Sequence, residues 1–300
     1  MITDSEQLFE LELELPNERL RELPKRLIGF DNRFQALHRD LRLLADLDGL
    51  AKWSKKHYGC LLPLVQRVQD RYPLVIFHGD VGTGKTETAE AASDLLTREL
   101  KKEGMLFKLS TRVRGSGTVG QMSTLINQAF QIVMDQAAKS RHSFLIIDEA
   151  DSLAGDRGAG QSHHEDKVAV NTLIQKIDDV RRFGGRVLVF LCTNRFAALD
   201  PAIVRRAGRV EAFERPNDDE RRALFTLDCE GLNLTPAMVD ELVMLTGPDP
   251  EQNRLGFTFS DLRTRLLPEA LACAFPDRPV TEQDLREAAT VIQPSPRVGG

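Results

Sequence analysis

Three hundred residues with 41% hydrophobic and 28% charged content describe a soluble globular chain, with apolar material for one large domain or two smaller ones. No apolar run approaches the roughly 20 residues that a membrane helix needs, and the opening MITDSEQ is no signal peptide, so the expected location is cytoplasmic. A net charge of -5 gives no electrostatic case for nucleic acid, and the widely spaced Cys60, Cys192, Cys229 and Cys273, without a CxxC pair, read as small apolar fillers of a reduced protein.

In chain order, the strict alternation of LFELELELP predicts a half-exposed strand, and residues 34–50 place leucines among arginines and aspartates at helical spacing. LVIF is a continuous apolar run of the kind that makes a strand buried on both faces. It is followed by the glycine-rich GDVGTGKT and a long helix-forming segment. Next come GMLFKLS, strand-like, a Gly/Ser-rich loop, and the helix MSTLINQAFQIVMDQAAK. SFLII then runs into acid, a polar loop leads to the helix KVAVNTLIQKIDDVRR, and RVLVFLCTN makes another buried strand. A short helix around PAIVRR precedes the last strand, RVEAF. Strands alternating with helices predict an α/β fold with a parallel five-stranded sheet and its ligand site at the strands' carboxyl ends. From Pro216 onward only helical periods remain, with Asn217, Thr235, Thr258 and Thr281 as candidate N-caps of a small helical domain. The expected divisions are an extension over residues 1–27, a large domain over 28–216, a helical lid over 217–292, and a mobile tail over 293–300.

The chemistry begins at the strand-to-helix turn. Gly79, Gly82 and Gly84, with Asp80, Val81 and Thr83 between them, let successive backbone N–H groups point inward, and the following helix adds the positive end of its dipole. Such a concavity suits a polyphosphate. Lys85 is placed to reach the terminal phosphates, and the Thr86 hydroxyl to hold a magnesium ion between them, so the pattern GxxxxGK[ST] predicts ATP and Mg2+ as ligands. Asp148 and Glu149 end the strand FLII. Asp148 is the candidate for the magnesium shell, reached through water, and Glu149 for orienting the attacking water. Asn194 ends the next strand and can hydrogen-bond that water or the γ-phosphate. Arg205, Arg206 and Arg209 follow, and an arginine acting from a neighbouring molecule on the transferring phosphate demands a ring.

The order GDVGTGKT, FLIIDEAD, VNTLIQKID, TNR, LDPAIVRRAGR and a helical lid resembles the AAA+ ATPases over roughly residues 28–290. The resemblance implies an AAA+ P-loop fold with Gly79, Gly84, Lys85 and Thr86 as the Walker A loop, Asp148 and Glu149 as Walker B, Asn194 as sensor 1, and Arg206 with Arg209 as fingers acting in trans. It also implies a hexameric ring. TVGQMS is similar to the central pore loop of protein-remodelling members, with Thr118 at the usual aromatic place followed by Val119 and Gly120. The sensor 2 arginine of the lid aligns near Ser260, with Arg263 one turn later.

Within AAA+, the segment from Asp166 to Asn194 and the lid's LRTRLLPEAL look most like the pachytene-checkpoint type, ATPases that remodel HORMA-domain proteins. The implied partner is a HORMA-domain protein, and the implied setting a bacterial antiviral operon. A DNA-dependent AAA+ helper would share every nucleotide motif and should add a basic insertion or a helix-turn-helix, and neither is found. A general AAA+ chaperone is the other alternative. HHEDK lacks the second histidine of HExxH, so His163 and His164 read as part of a solvated loop rather than a peptidase site.

Overall fold

A computed structural model describes residues 8–110, 121–139, 141–154 and 164–297, the side chains of 164–166 excepted. Six strands form one sheet: β1 (Phe9–Leu15), β2 (Leu74–Gly79), β3 (Gly104–Leu109), β4 (His142–Ile147), β5 (Val187–Thr193) and β6 (Arg209–Phe213), in the order β1-β3-β4-β5-β2-β6. The pairs β2/β5, β3/β4 and β4/β5 are parallel, whereas β1 lies antiparallel on β3. The expected sheet of five strands therefore has six and is mixed. The physical reason is the free backbone edge of β3, which the alternating segment Phe9–Leu15 covers. Its Phe9 and Leu15 are buried and Glu10 is exposed. Thus part of the sequence-defined extension 1–27 pairs with the sheet.

The chain divides into two compact units, one of Met1–His78 with Thr86–Ala212 and one of Gly79–Lys85 with Phe213–Gly300. In the first, the helices are α1 (Glu18–Arg21), α2 (Leu23–Arg26), α3 (Phe30–Ala45), α4 (Leu47–Tyr58), α5 (Pro63–Gln69), α6 (Lys85–Leu100, whose first residue belongs to the second unit), α7 (Gln121–Ala138), α8 (His164–Val180) and α9 (Pro201–Val204). β4 and β5 are buried along their whole length. This is what a continuous apolar run requires when helices cover both sheet faces. Phe107, Leu145, Ile147, Leu191, Phe130 and Ile177 belong to the resulting core.

The second unit carries α10 (Asp218–Asp228), α11 (Pro236–Leu245), α12 (Leu267–Ala274) and α13 (Glu282–Val291). Asn217 and Thr281 close capping boxes on α10 and α13, and Thr235 caps α11. Thr258 and Asp261 exchange hydrogen bonds, each side chain accepting from the other's backbone N–H at 3.1 and 2.9 Å. The turn that follows, Asp261–Leu266, is π-helical and runs into α12. The sequence expectation of a mobile segment over 293–300 meets a set of hydrogen bonds here. Ser295 donates its N–H and hydroxyl to the Asp261 carboxylate at 3.0 and 2.6 Å, and Gln293 O accepts from Arg265 at 2.9 Å.

Cys192 and Cys229 are buried, as fillers should be, but Cys60 and Cys273 are exposed. Cys60 follows Gly59, the left-handed residue that ends α4, and so lies past the helix rather than under it.

Candidate nucleotide site

The phosphate loop begins where β2 leaves the sheet. Gly79 has φ 139°, and a Cβ there would collide with the backbone carbonyl of Phe213, which cannot yield as a side chain can. Gly82 has φ 72°, and its Cβ would sit 2.5 Å from that of Ser260. Glycine is required at both for space and for backbone angle. The Lys85 ammonium donates to the carbonyls of Gly79 and Asp80 at 3.0 and 2.7 Å, and Thr83 Oγ1 donates to the same Asp80 carbonyl at 2.8 Å. The side chain of Asp80 accepts from Arg215 Nε at 2.6 Å, and Gly82 O accepts from Ser260 N at 3.1 Å. Val81 is exposed.

In the sheet unit, Thr86 Oγ1 donates to Asp148 Oδ2 at 2.7 Å, joining the start of α6 to the end of β4. Asp148 Oδ1 accepts the N–H of Glu149 at 2.8 Å. Lys108 Nζ lies 3.8 Å from Asp148 and 2.7 Å from Glu10 on β1. Burial opposes the charged form of Lys108, but Glu10, Asp148 and Glu90 together outweigh it and hold the ammonium above its ordinary value. Burial is also the leading influence on Glu90, whose carboxyl is raised. Glu149 is exposed and occupies the left-handed region at φ 47°, ψ 45°. Its carbonyl accepts both the N–H and the hydroxyl of Ser152, at 3.0 and 2.8 Å.

β5 lies beside β4, with Ile147 opposite Leu191, so the half-buried Asn194 follows the neighbouring strand's end. Sequence reasoning missed Thr193 and Asp151, which join the two strand ends: Thr193 Oγ1 donates to Asp151 Oδ1 at 2.7 Å and accepts from Arg195 N at 3.0 Å. The signal available was the second aspartate of IDEAD and the hydroxyl before Asn194.

Arg206 grips Asp178 on α8 through Nε at 2.8 Å and Nη2 at 3.1 Å, donates to Ala202 O at 2.9 Å, and sits 5.4 Å over the Tyr72 ring. The Asp178 hydrogen bonds are the largest cause holding its guanidinium above the ordinary value. Arg209 pairs with Glu211 at 2.6 Å and Asp40 at 3.0 Å, while Arg205 is exposed. Of the two sensor 2 positions, Ser260 lies on the phosphate loop, whereas Arg263 engages Asp228 at 2.5 and 3.0 Å. Thr118, Val119, Gly120 and His163 lie outside the described residues.

A buried strand, a glycine loop closed over a lysine, and a threonine bonded to the acid of another strand define a P-loop ATPase. The chain belongs to the AAA family: residues 75–215 match the model described as ATPase family associated with various cellular activities. It is 49% identical to CD-NTase-associated protein 6 of Escherichia coli (strain KTE188), over 97% of this chain and 98% of that one. Among solved structures it matches a chain of the E. coli MS115-1 HORMA:CdnC:Trip13 complex with TM-score 0.89 and 38% identity, covering 98% of each chain. Rhizobiales Trip13 matches with TM-score 0.72 and 34% identity, covering 96% of this chain and 100% of that one. The enzyme binds nucleotide and hydrolyses ATP. Among the described residues, no helix is long and apolar enough to cross a membrane.

Proposed function

We propose that the chain is a magnesium-dependent AAA ATPase that works as a ring of identical subunits and partly unfolds a HORMA-domain protein, as the regulator of a bacterial antiphage system. The observation that carries this reading is the end-to-end match to a chain of the HORMA:CdnC:Trip13 complex.

The residues fit magnesium and ATP. The Thr86 hydroxyl and Asp148 carboxylate stand 2.7 Å apart and are hard oxygen donors of the kind magnesium takes beside phosphate oxygens. A glycine-rich loop before a helix suits a phosphate group, and Lys85 brings a cation held on the carbonyls of Gly79 and Asp80. ATP supplies the phosphoanhydride whose cleavage drives the motor. Glu149 orients the attacking water and takes up its proton, Asn194 holds that water from the adjoining strand, and Arg206 with Arg209 stabilise charge on the phosphate of a neighbouring subunit.

The segment TVGQMS, outside the described residues, is the proposed pore loop. With Thr118 in place of an aromatic, each grip forgoes much of the roughly 1.5–3 kcal/mol that a fully buried Phe-sized side chain brings. A weak grip suits local unfolding of one terminal segment, with release of whatever peptide that segment clasps.

The test mixes the purified chain with a HORMA-domain protein holding a labelled peptide. The partner should stimulate ATP hydrolysis and ATP should release the peptide. Val119→Asp should keep basal hydrolysis and lose both stimulation and release. Stimulation by DNA instead, with protein-directed activities intact in Val119→Asp, would replace this reading with a DNA-dependent ATPase.

A further inference from the structure

Arg215 has no part in the chemistry above, yet it is among the most fully engaged side chains near the phosphate loop. It lies between the end of β6 at Phe213 and the cap of α10 at Asn217, with 11% of its side chain exposed. All three guanidinium nitrogens donate: Nε to Asp80 Oδ2 at 2.6 Å, Nη1 to Gly256 O at 2.6 Å, and Nη2 to Ser295 O at 2.8 Å. Three acceptors from three distant segments are met by one planar, permanently charged fork, a task that a lysine cannot perform.

Two of the three acceptors, Asp80 and Ser295, are themselves tied down. Asp80 is the residue whose carbonyl accepts both the Lys85 ammonium and the Thr83 hydroxyl, so a pull on its carboxylate acts on the anchor of the lysine. Ser295 is fixed from its other side by Asp261, which exchanges hydrogen bonds with Thr258. Arg265 Nη1 donates both to Gln293 O at 2.9 Å and to the same Asp261 at 3.0 Å, bridging the two. The loop residues Gly79–Lys85 and everything from Phe213 onward fall in one compact unit, so these contacts lie inside a single body.

We propose that Arg215 is a positioning residue for the phosphate loop, and that the C-terminal segment at Gln293–Arg297 sets nucleotide affinity by holding Arg215 on Asp80. The segment thereby acts as a strap: gripped, it keeps Asp80 and the Lys85 anchor in place; released, it lets the loop relax. The inference rests on the nucleotide reading of this loop, and on nothing about the partner.

The experiment uses the full chain, the fluorescent nucleotide mant-ADP with magnesium, and hydrogen exchange of residues 79–85 in nucleotide-free protein. Deleting 293–300 should weaken mant-ADP by roughly tenfold, the scale of one charge-assisted contact. It should also speed exchange in the loop while leaving the lid's own exchange protection in place. Arg215→Ala should do the same, and Arg215→Lys should fall between, keeping charge without the three-way geometry. Combining the deletion with Arg215→Ala should cost little more than Arg215→Ala alone, because the segment's other reach to Asp80, the exposed Arg297 at 4.0 Å, is a weak surface pair. A truncated chain with native affinity and native loop exchange, or losses that multiply independently, overturns the proposal. Lys85→Ala is the control. Unchanged binding there overturns the nucleotide reading and this proposal together, whereas loss there beside native binding in the truncated chain overturns the proposal alone.

Discussion

Glu149 holds a left-handed backbone that costs an L-residue roughly 1–2 kcal/mol, at the place where the proposed catalytic carboxylate stands. Two outcomes separate its side chain from its backbone. Glu149→Gln should abolish turnover and leave nucleotide bound, measured as hydrolysis and mant-ADP affinity, since the amide cannot take the water's proton. Comparing Glu149→Gly with Glu149→Ala removes the side chain in both, and the glycine variant should be the more stable by up to about 1 kcal/mol in urea unfolding. The reverse order would deny the strain. The positions of Lys85 and Thr86 were legible because strand, loop and helix adjoin in sequence, and those of Asp148 and Glu149 because acid directly follows a buried apolar run. The Arg215–Asp80 pair was not, since 135 positions separate two residues that no local pattern connects. Nor does sequence alone say which cysteines face water. Cys229 is buried and its thiol is pushed up to about 11, by burial first and by neighbouring Asp228 second. Iodoacetamide at neutral pH should therefore label Cys60 and Cys273 and spare Cys192 and Cys229 in folded protein, read by mass spectrometry.

The helical elements of the second unit were readable at their starts, where Asn217, Thr235, Thr258 and Thr281 announce caps within three residues of the backbone groups they satisfy. The interior of one was not. Over Asp261–Leu266 the wider π-helical turn departs from the 3.6-residue period that a sequence pattern can show. The same limit hid α5 and the one-turn α1 and α2, too short to show a period, while β1 showed its alternation without naming β3 as its partner. At the start of α13, Asp284 is buried, held by Arg278 at 2.6 Å from each of two nitrogens and by the N–H and hydroxyl of Thr281 at 2.8 Å. Arg278 is the main cause, Thr281 the next, and together they hold this carboxyl well below the usual range. A carboxyl depressed on folding stabilises above its ordinary value, near 4, and loses that contribution as pH falls through the folded value. Asp284→Asn should accordingly melt below the wild type at pH 7, with the gap closing as pH drops beneath about 4. A gap independent of pH would mean that packing, rather than charge, holds this helix start.

For the whole molecule, the decisive question is where Arg206 acts. Within its own subunit it holds Asp178 with two hydrogen bonds and lies over Tyr72, so it stands oriented before any neighbour arrives. Acting in trans, it adds a second anion to those contacts, and a finger of this kind changes the rate by about 10³ to 10⁵. Such a site is completed by head-to-tail contact, in which one subunit gives the loop and the next gives the arginine. Arg206→Ala and Lys85→Ala should then each be nearly inactive for opposite reasons, the first keeping a good loop and the second a good finger. Mixed in equal amounts and allowed to exchange, they form roughly one interface in four with both parts intact, by random pairing around a heterologous ring. Hydrolysis should recover toward that fraction of the wild-type rate, and it should rise with total protein concentration. Mixed assemblies verified by two distinct tags that still hydrolyse no ATP would remove Arg206 from the trans role. Its pairing with Asp178 would then be the whole of its work.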